Sequence, residues 1–301
     1  MQAGELAALG TATSWTASSL AFESSARRIG SLSLNLVRVV MALGWLTLAA
    51  GVLRGRALPD DADATRWGYL LASGVVGLVL GDLCTFRAYL ELGARRTMVV
   101  STATPIFTAA LAWLALGERV TPIEALAMLV IVLGVALAVG ERTEGAVDGP
   151  RRTRGTLLAL GGALGQAGGL LLSKRGLAEP LLAPGDGYSS IAGTQIRMIA
   201  GVIGFVLVLT AVRWWPRVAV AVRDRAAMGW AAIGALFGPG LGVTLSLYAV
   251  THAHAGVAAA LMATTPVLVI PLVALRGERV GARGVVGALI AVGGAALIAL
   301  A

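Results

Sequence analysis

Apolar residues fill this chain in long runs, and the polar positions between them are few and clustered. Ten runs are long enough, at 1.5 Å per helical residue, to cross a hydrocarbon layer of about 30 Å. They fall near residues 3–22, 31–53, 67–90, 97–116, 122–140, 155–173, 190–212, 227–250, 256–275 and 282–300. The connections left over are short, so a separate soluble catalytic domain has no room to fold. Two hydrophilic stretches interrupt the pattern, at 141–154 and 179–187, and the first is the natural seam between halves 1–146 and 147–301.

The two halves repeat one another. Thr104-Pro105 followed by Gly117-Glu118-Arg119-Val120 recurs about 160 residues later as Thr265-Pro266 followed by Gly277-Glu278-Arg279-Val280. The same shift lays Arg38 over Arg197, Tyr89 over Tyr248 and Gly134 over Gly294. Five runs per half is an odd number, so the second half must enter the membrane in the opposite sense. The expected fold is an all-α membrane protein of ten transmembrane helices arranged as two inverted five-helix repeats. Glycines four apart, as in Gly161, Gly165 and Gly169, or Gly77 and Gly81, predict close helix crossings where lipid offers no hydrophobic drive for association.

Composition agrees with a membrane protein. The chain is 57% hydrophobic and 13% charged, against about a quarter charged in soluble domains. Its net charge of +8 sits mainly in connections, where topology and lipid headgroups account for it, and nucleic acid is not an expected partner. Cys84 is the one cysteine, which excludes an internal disulfide. The first run carries Glu5 and no basic leader, and reads as a retained helix. There is no Gly-Lys-Ser/Thr phosphate loop for ATP, and no serine or cysteine with a credible base. His252 and His254 lack the nearby carboxylates or cysteines of a metal site. Neither an enzymatic activity nor a metal or other cofactor is expected.

An intramembrane Pro in the fourth helix of each half, a Gly-Glu-Arg turn and a Gly-containing closing helix together resemble the EamA-type transporters of the drug/metabolite transporter superfamily. Arg38 and Arg197, with Ala88-Tyr89 and Tyr248-Ala249, match the same pattern. The resemblance implies a ten-helix bundle in the cell membrane with a central cavity, moving a small metabolite or drug-like compound, amino-acid-like cargo among the candidates, and often outward. One departure is that Thr121-Pro122, which opens the fifth helix, becomes Gly281-Ala282 in the second half.

Polar groups inside the apolar runs are the candidate site. A charged Asp82 costs about 2.5 to 3.5 kcal/mol at the bilayer centre. Arg38 falls at a similar depth, so the two can form a structural ion pair, or Asp82 can bind substrate or a coupling proton. Arg197 has no acidic neighbour at its depth in the eighth helix, where Leu241 aligns with Asp82, which leaves a guanidinium suited to a carboxylate or phosphate. Gln166 and Gln195 can line the same cavity or hydrogen-bond between helices, and Tyr89 and Tyr248 are further lining candidates. Trp15 lies mid-helix rather than in an interfacial belt, which favours a cavity wall. Pro105 and Pro266 each remove a helix hydrogen bond, are expected to bend their helices, and are candidate hinges. Glu118 and Glu278 are expected to stabilise the following helix N-terminus beside the adjacent Arg.

The connections on one side hold 15 basic residues and those on the other hold six. The positive-inside rule therefore places both termini outside, whereas the resemblance implies cytoplasmic termini. The leading functional reading is a secondary transporter, probed against two alternatives: a passive facilitator without ion coupling, and a non-transporting membrane scaffold.

Overall fold

The apolar runs become helices, and the computed structural model shows no strand among the residues it describes: 2–92, 94–139, 149–178, 188–275 and 281–300. The first half runs α1 (Ala3–Ile29), α2 (Ser31–Arg54), α3 (Ala64–Ser73), a π-helical segment (Gly74–Gly81), α4 (Asp82–Leu92), α5 (Ala94–Ser101), α6 (Thr104–Leu116) and α7 (Pro122–Val139). The second runs α8 (Gly149–Leu177), α9 (Ser190–Ala211), the short α10 (Trp215–Ala221), α11 (Arg225–Ala235), a second π-helical segment (Leu236–Gly242), α12 (Val243–His252), α13 (Ala255–Met262), α14 (Thr265–Leu275) and α15 (Ala282–Leu300).

Local chemistry sets the ends. Asp63 accepts the N–H of Arg66 at 2.8 Å and Asp224 that of Ala227 at 3.0 Å, which caps α3 and α11. Gly55 and Gly117 close α2 and α6 at φ 67° and 69°, a left-handed conformation that a β-carbon resists. Thr121 and Glu124 exchange hydrogen bonds of 2.6 and 3.2 Å around Pro122, a capping box that starts α7.

The prolines correct one expectation. Pro105 and Pro266 stand in the first turn of α6 and α14, where a helix needs no N–H donor, so they start helices rather than bend them. The chain breaks just before each, at turns over 102–103 and 263–264.

Among the described residues, six stretches are long and apolar enough to cross a membrane: Ser31–Arg54, Ala64–Leu92, Arg96–Leu116, Gly149–Leu177, Ser190–Ala211 and Arg225–His252. Pro122–Ala138, Ala255–Ile270 and Ala282–Ile298 are shorter apolar helices. In α1 the hydroxyls of Thr11, Ser14, Thr16 and Ser18 are buried against protein, which explains its lower hydropathy. Ser18 and Ser25 donate across the interface to the carbonyls of Gly234 and Ala227 at 2.9 and 3.0 Å.

The packing has the symmetry of the repeat. Helix α8 lies along α3, the first π segment and α4, as α1 lies along α11, the second π segment and α12. Helix α2 packs on α9, α6 on α13 and α7 on α15. Exchanging the halves maps these pairings onto themselves, except that α6 on α13 has no counterpart of similar extent between α5 and α14. Small residues permit the approach: a β-carbon on Gly165 would sit 2.9 Å from Gly81 Cα, and one on Gly169 would sit 2.8 Å from Gly77 Cα. Gly134 would likewise meet the Gly287 carbonyl at 2.8 Å. Gly161 is looser, since its nearest neighbour would be Cys84 Sγ at 3.7 Å.

Candidate functional site

Between the halves lies a cavity of about 470 Å³ whose wall includes Trp15, Arg38, Asp82, Gln166, Arg197 and Pro266. Hydroxyls of Thr11, Thr85, Ser101 and Thr102 add polar points to it, and Val39, Leu78, Met98, Val243 and Met262 supply apolar surface. Both π-helical segments reach the cavity, through Leu78 in one and Pro239 in the other. A π segment shifts the helical register, and such segments recur at functional sites. Asp82 is the first residue after the segment Gly74–Gly81, so that shift helps aim its carboxylate inward.

Three charged side chains share this wall. Arg38 Nη2 donates to Asp82 Oδ2, and Gln166 Nε2 donates to Asp82 Oδ1 at 3.1 Å and to the Gly77 carbonyl at 3.0 Å. The Arg38 and Asp82 side chains are only 12% and 14% exposed. The Arg38 guanidinium also lies 5.9 Å from the centre of the Phe22 ring. Arg197, 4% exposed, donates through Nη1 to Ser173 Oγ, which itself donates to the Gly169 carbonyl at 2.9 Å. The Nε atoms of Arg38 and Arg197 are both buried without a hydrogen-bond partner. The eighth apolar run has Leu241 where the first half has Asp82, and the acidic residue on the same cavity wall as Arg197 is Asp82 of the first half.

Trp15 is held by the second half. Beta-carbons on Gly238 and Gly242 would lie 3.2 and 3.0 Å from its indole, so the ring packs on bare backbone. Tyr248 departs from its expected place, being 38% exposed and stacked on His252 with ring centres 4.0 Å apart. Val243 and Ser246 of α12 face the cavity. Two residues beyond Ser246 is about 200° around a helix, which turns Tyr248 away. The Tyr89 side chain lies outside the described residues. Pro105 is buried but does not reach the cavity wall, unlike Pro266. Gln195 is buried and holds the α2–α3 connection instead, donating to the Ala57 carbonyl at 2.8 Å.

A second polar cluster ties the halves at one end of the bundle. Glu118 Oε1 pairs with Lys174 Nζ at 2.7 Å, and Glu118 Oε2 accepts the N–H of Ala255 at 2.9 Å. Lys174 Nζ also donates to the Ala253 carbonyl at 2.8 Å, and His254 Nδ1 lies 2.9 Å from Glu124 Oε1. Glu118 therefore does not serve the helix that follows it; the Thr121–Glu124 box already caps α7, and Glu118 reaches the break between α12 and α13. Glu278 lies outside the described residues. No group of three potential metal ligands occurs among the described residues.

Comparison with known proteins places this geometry in context. The sequence model of the EamA-like transporter family matches residues 2–140 and again 153–300. A solved structure, described only as the crystal structure of a protein, superposes with a TM-score of 0.74 at 18% identity, over 99% of this chain and 96% of that one. That likeness is one of fold. No curated protein matches the chain.

Proposed function

We propose that this chain, which belongs to the EamA-like transporter family, is a secondary transporter that carries a small metabolite or drug-like compound through its central cavity by alternating access. A multi-pass protein of the cell membrane is what the family and the apolar helices establish. The finer reading has ten crossings in two inverted repeats, with the boundary in the hydrophilic stretch near residue 146. The observation that carries it is the charge-lined cavity between two halves whose first, second, third and fifth helices pack in exchange-related pairs. Charged groups at that depth are expensive and mark pathways rather than scaffolding, which disfavours a non-transporting partner protein.

In this reading the Glu118–Lys174 cluster holds one end of the bundle shut. The breaks before Pro105 and Pro266 give the fourth helix of each half a joint at which to move. Outward movement of cargo is the direction that the family resemblance supports.

Asp82 admits two roles. As a coupling group it would exchange a proton during the cycle. A passive facilitator is favoured by one specific observation, that Arg38 and Gln166 already engage both of its oxygens.

The alternating-access reading is tested by a single cysteine at Thr102 in a Cys84→Ala background, labelled in oriented vesicles with a membrane-impermeant thiol reagent. Disrupting the Glu118–Lys174 pair should raise labelling from that side and lower it from the other. Labelling confined to one side under every condition overturns the reading.

A further inference from the structure

The charges around the cavity do not balance, and the imbalance names a cargo class. Among the described wall residues, the ionised groups are Arg38, Asp82 and Arg197. Arg38 and Asp82 neutralise one another. An arginine stays protonated even in a poor solvent environment, so Arg197 leaves the cavity with one positive charge in excess. Its protein partner is a neutral hydroxyl, Ser173, and its buried Nε has none.

Resting on the transport reading, we propose that the cargo is a monoanion with an apolar body, its carboxylate or comparable singly charged group received by Arg197 and its body by the indole of Trp15 and the methionine and branched aliphatic wall. A single negative charge cancels the excess; a phosphate monoester, with a charge of about −1.5 to −2, overshoots it. A cation adds to the repulsion. A zwitterion would need a free carboxylate for its ammonium, and Asp82, the acidic residue of the described wall, is already held by Arg38 and Gln166. Trp15 packs on Gly238 and Gly242 of the second π segment, so its ring presents an apolar surface to the cavity. A cavity of about 470 Å³ is within the range that takes small-molecule ligands.

The test uses the purified full-length protein and one phenyl ring carrying five different polar groups: hydrocinnamate, its amide, phenylalanine, phenethylamine and phenyl phosphate. Thermal stabilisation and counterflow in proteoliposomes are read for each at millimolar concentration. Hydrocinnamate should give the largest shift and exchange, with the amide weaker by about ten- to a hundredfold in affinity. Arg197→Gln should abolish the preference for the acid over its amide, and Arg197→Lys should retain it in part. The wild-type ranking stands alone if Arg197→Gln does not fold. Equal response to acid and amide, a stronger response to the amine, the zwitterion or the phosphate, or no response to any of the five overturns the assignment. None of those results touches the two-sided labelling at Thr102, which tests alternating access without any cargo.

Discussion

Removing one partner of the Arg38–Asp82 pair should cost far more than removing both. The two side chains are 12% and 14% exposed, and Gln166 is the further hydrogen-bond donor to the carboxylate. Arg38 already has a buried Nε with no acceptor, so Asp82→Leu strands a whole guanidinium. Breaking a buried pair from one side costs about 3 to 5 kcal/mol, whereas replacing both members by apolar residues of similar volume is close to neutral or stabilising. The expected result is a loss of about that size for Asp82→Leu and for Arg38→Met alone, with most of it recovered in the double variant. That difference is a coupling energy of several kcal/mol, large for residues in one contact. The assay is reversible unfolding of the purified protein in mixed micelles, followed by helical ellipticity, for all four members of the cycle. Additive single effects, or single effects below about 1 kcal/mol, would refute the reasoning, because they imply that water or lipid headgroups already solvate both charges. The same four proteins separate structure from transport. If Asp82 exchanges a proton, the stable double variant loses gradient-driven uptake while keeping counterflow; if it is only a partner for Arg38, both activities survive.

Other perturbations probe different contacts. Glu118→Gln removes the charge opposite Lys174 and weakens the hold on the Ala255 N–H, so it should raise cavity labelling from that end while lowering stability by about 1 to 3 kcal/mol, read as a shift in the unfolding midpoint. Gly169→Val pushes a side chain into Gly77, whose Cα would lie 2.8 Å from the new Cβ, and should cost about 1 to 3 kcal/mol, whereas Gly161→Ala, facing only Cys84, should cost much less. Acid should weaken the connection between α2 and α3. Burial pushes the Asp61 carboxyl up, but hydrogen bonds from Arg54 and Tyr188 outweigh it and hold Asp61 below the usual carboxylate range. A lowered folded value contributes stability above the unfolded value of about 4 and loses it as pH falls through the folded value, so Asp61→Asn should flatten the unfolding midpoint's acid dependence below about pH 4.

The sequence exposed the repeat because membrane helices leave a plain signal, long apolar runs with few interruptions, and because paired motifs survive in both halves. It also brought Trp15, Arg38, Asp82, Gln166 and Arg197 into consideration on one physical ground, that polarity in lipid needs a reason, and these five share a wall. What it could not show was register. Tyr248 is two residues from the cavity-facing Ser246 and points the other way, and hydrophobicity in a helix surrounded by lipid or protein does not reveal which face is inward. The π-helical segments shift that register further, and their only mark in the chain is a high density of glycine, with Pro239 in the second. Partners from distant parts of the chain were equally hidden. Ser173 beneath Arg197 and Lys174 beside Glu118 are consecutive residues of α8 serving two separate clusters, and no spacing rule links them to positions 197 and 118. The prolines were found but misread, since a break two to three residues before a proline looks in sequence like a bend at the proline itself.

Symmetry in the backbone makes the asymmetry of the charges informative. The repeat supplies equivalent guanidiniums, Arg38 and Arg197, on α2 and α9, which pack against each other across the halves. It supplies one carboxylate. The position in the second half that aligns with Asp82 is Leu241, which is 43% exposed. A symmetric ancestor carrying a carboxylate in each half would neutralise both arginines and leave a cavity with no net preference; one carrying neither would hold two unpaired charges at the same depth, at a cost of several kcal/mol. The present chain sits between those extremes, with one arginine fixed by a protein partner and the other kept in place by the hydroxyl of Ser173. Placing the missing carboxylate should therefore do two things at once. Ser173→Asp, positioned against Arg197 Nη1, should stabilise the empty protein and remove binding of a monoanion, because the variant's own carboxylate occupies the place of the cargo. Higher stability with undiminished anion binding, measured by calorimetry on the same preparation, would show that Arg197 is a structural cation and that cargo charge is read elsewhere.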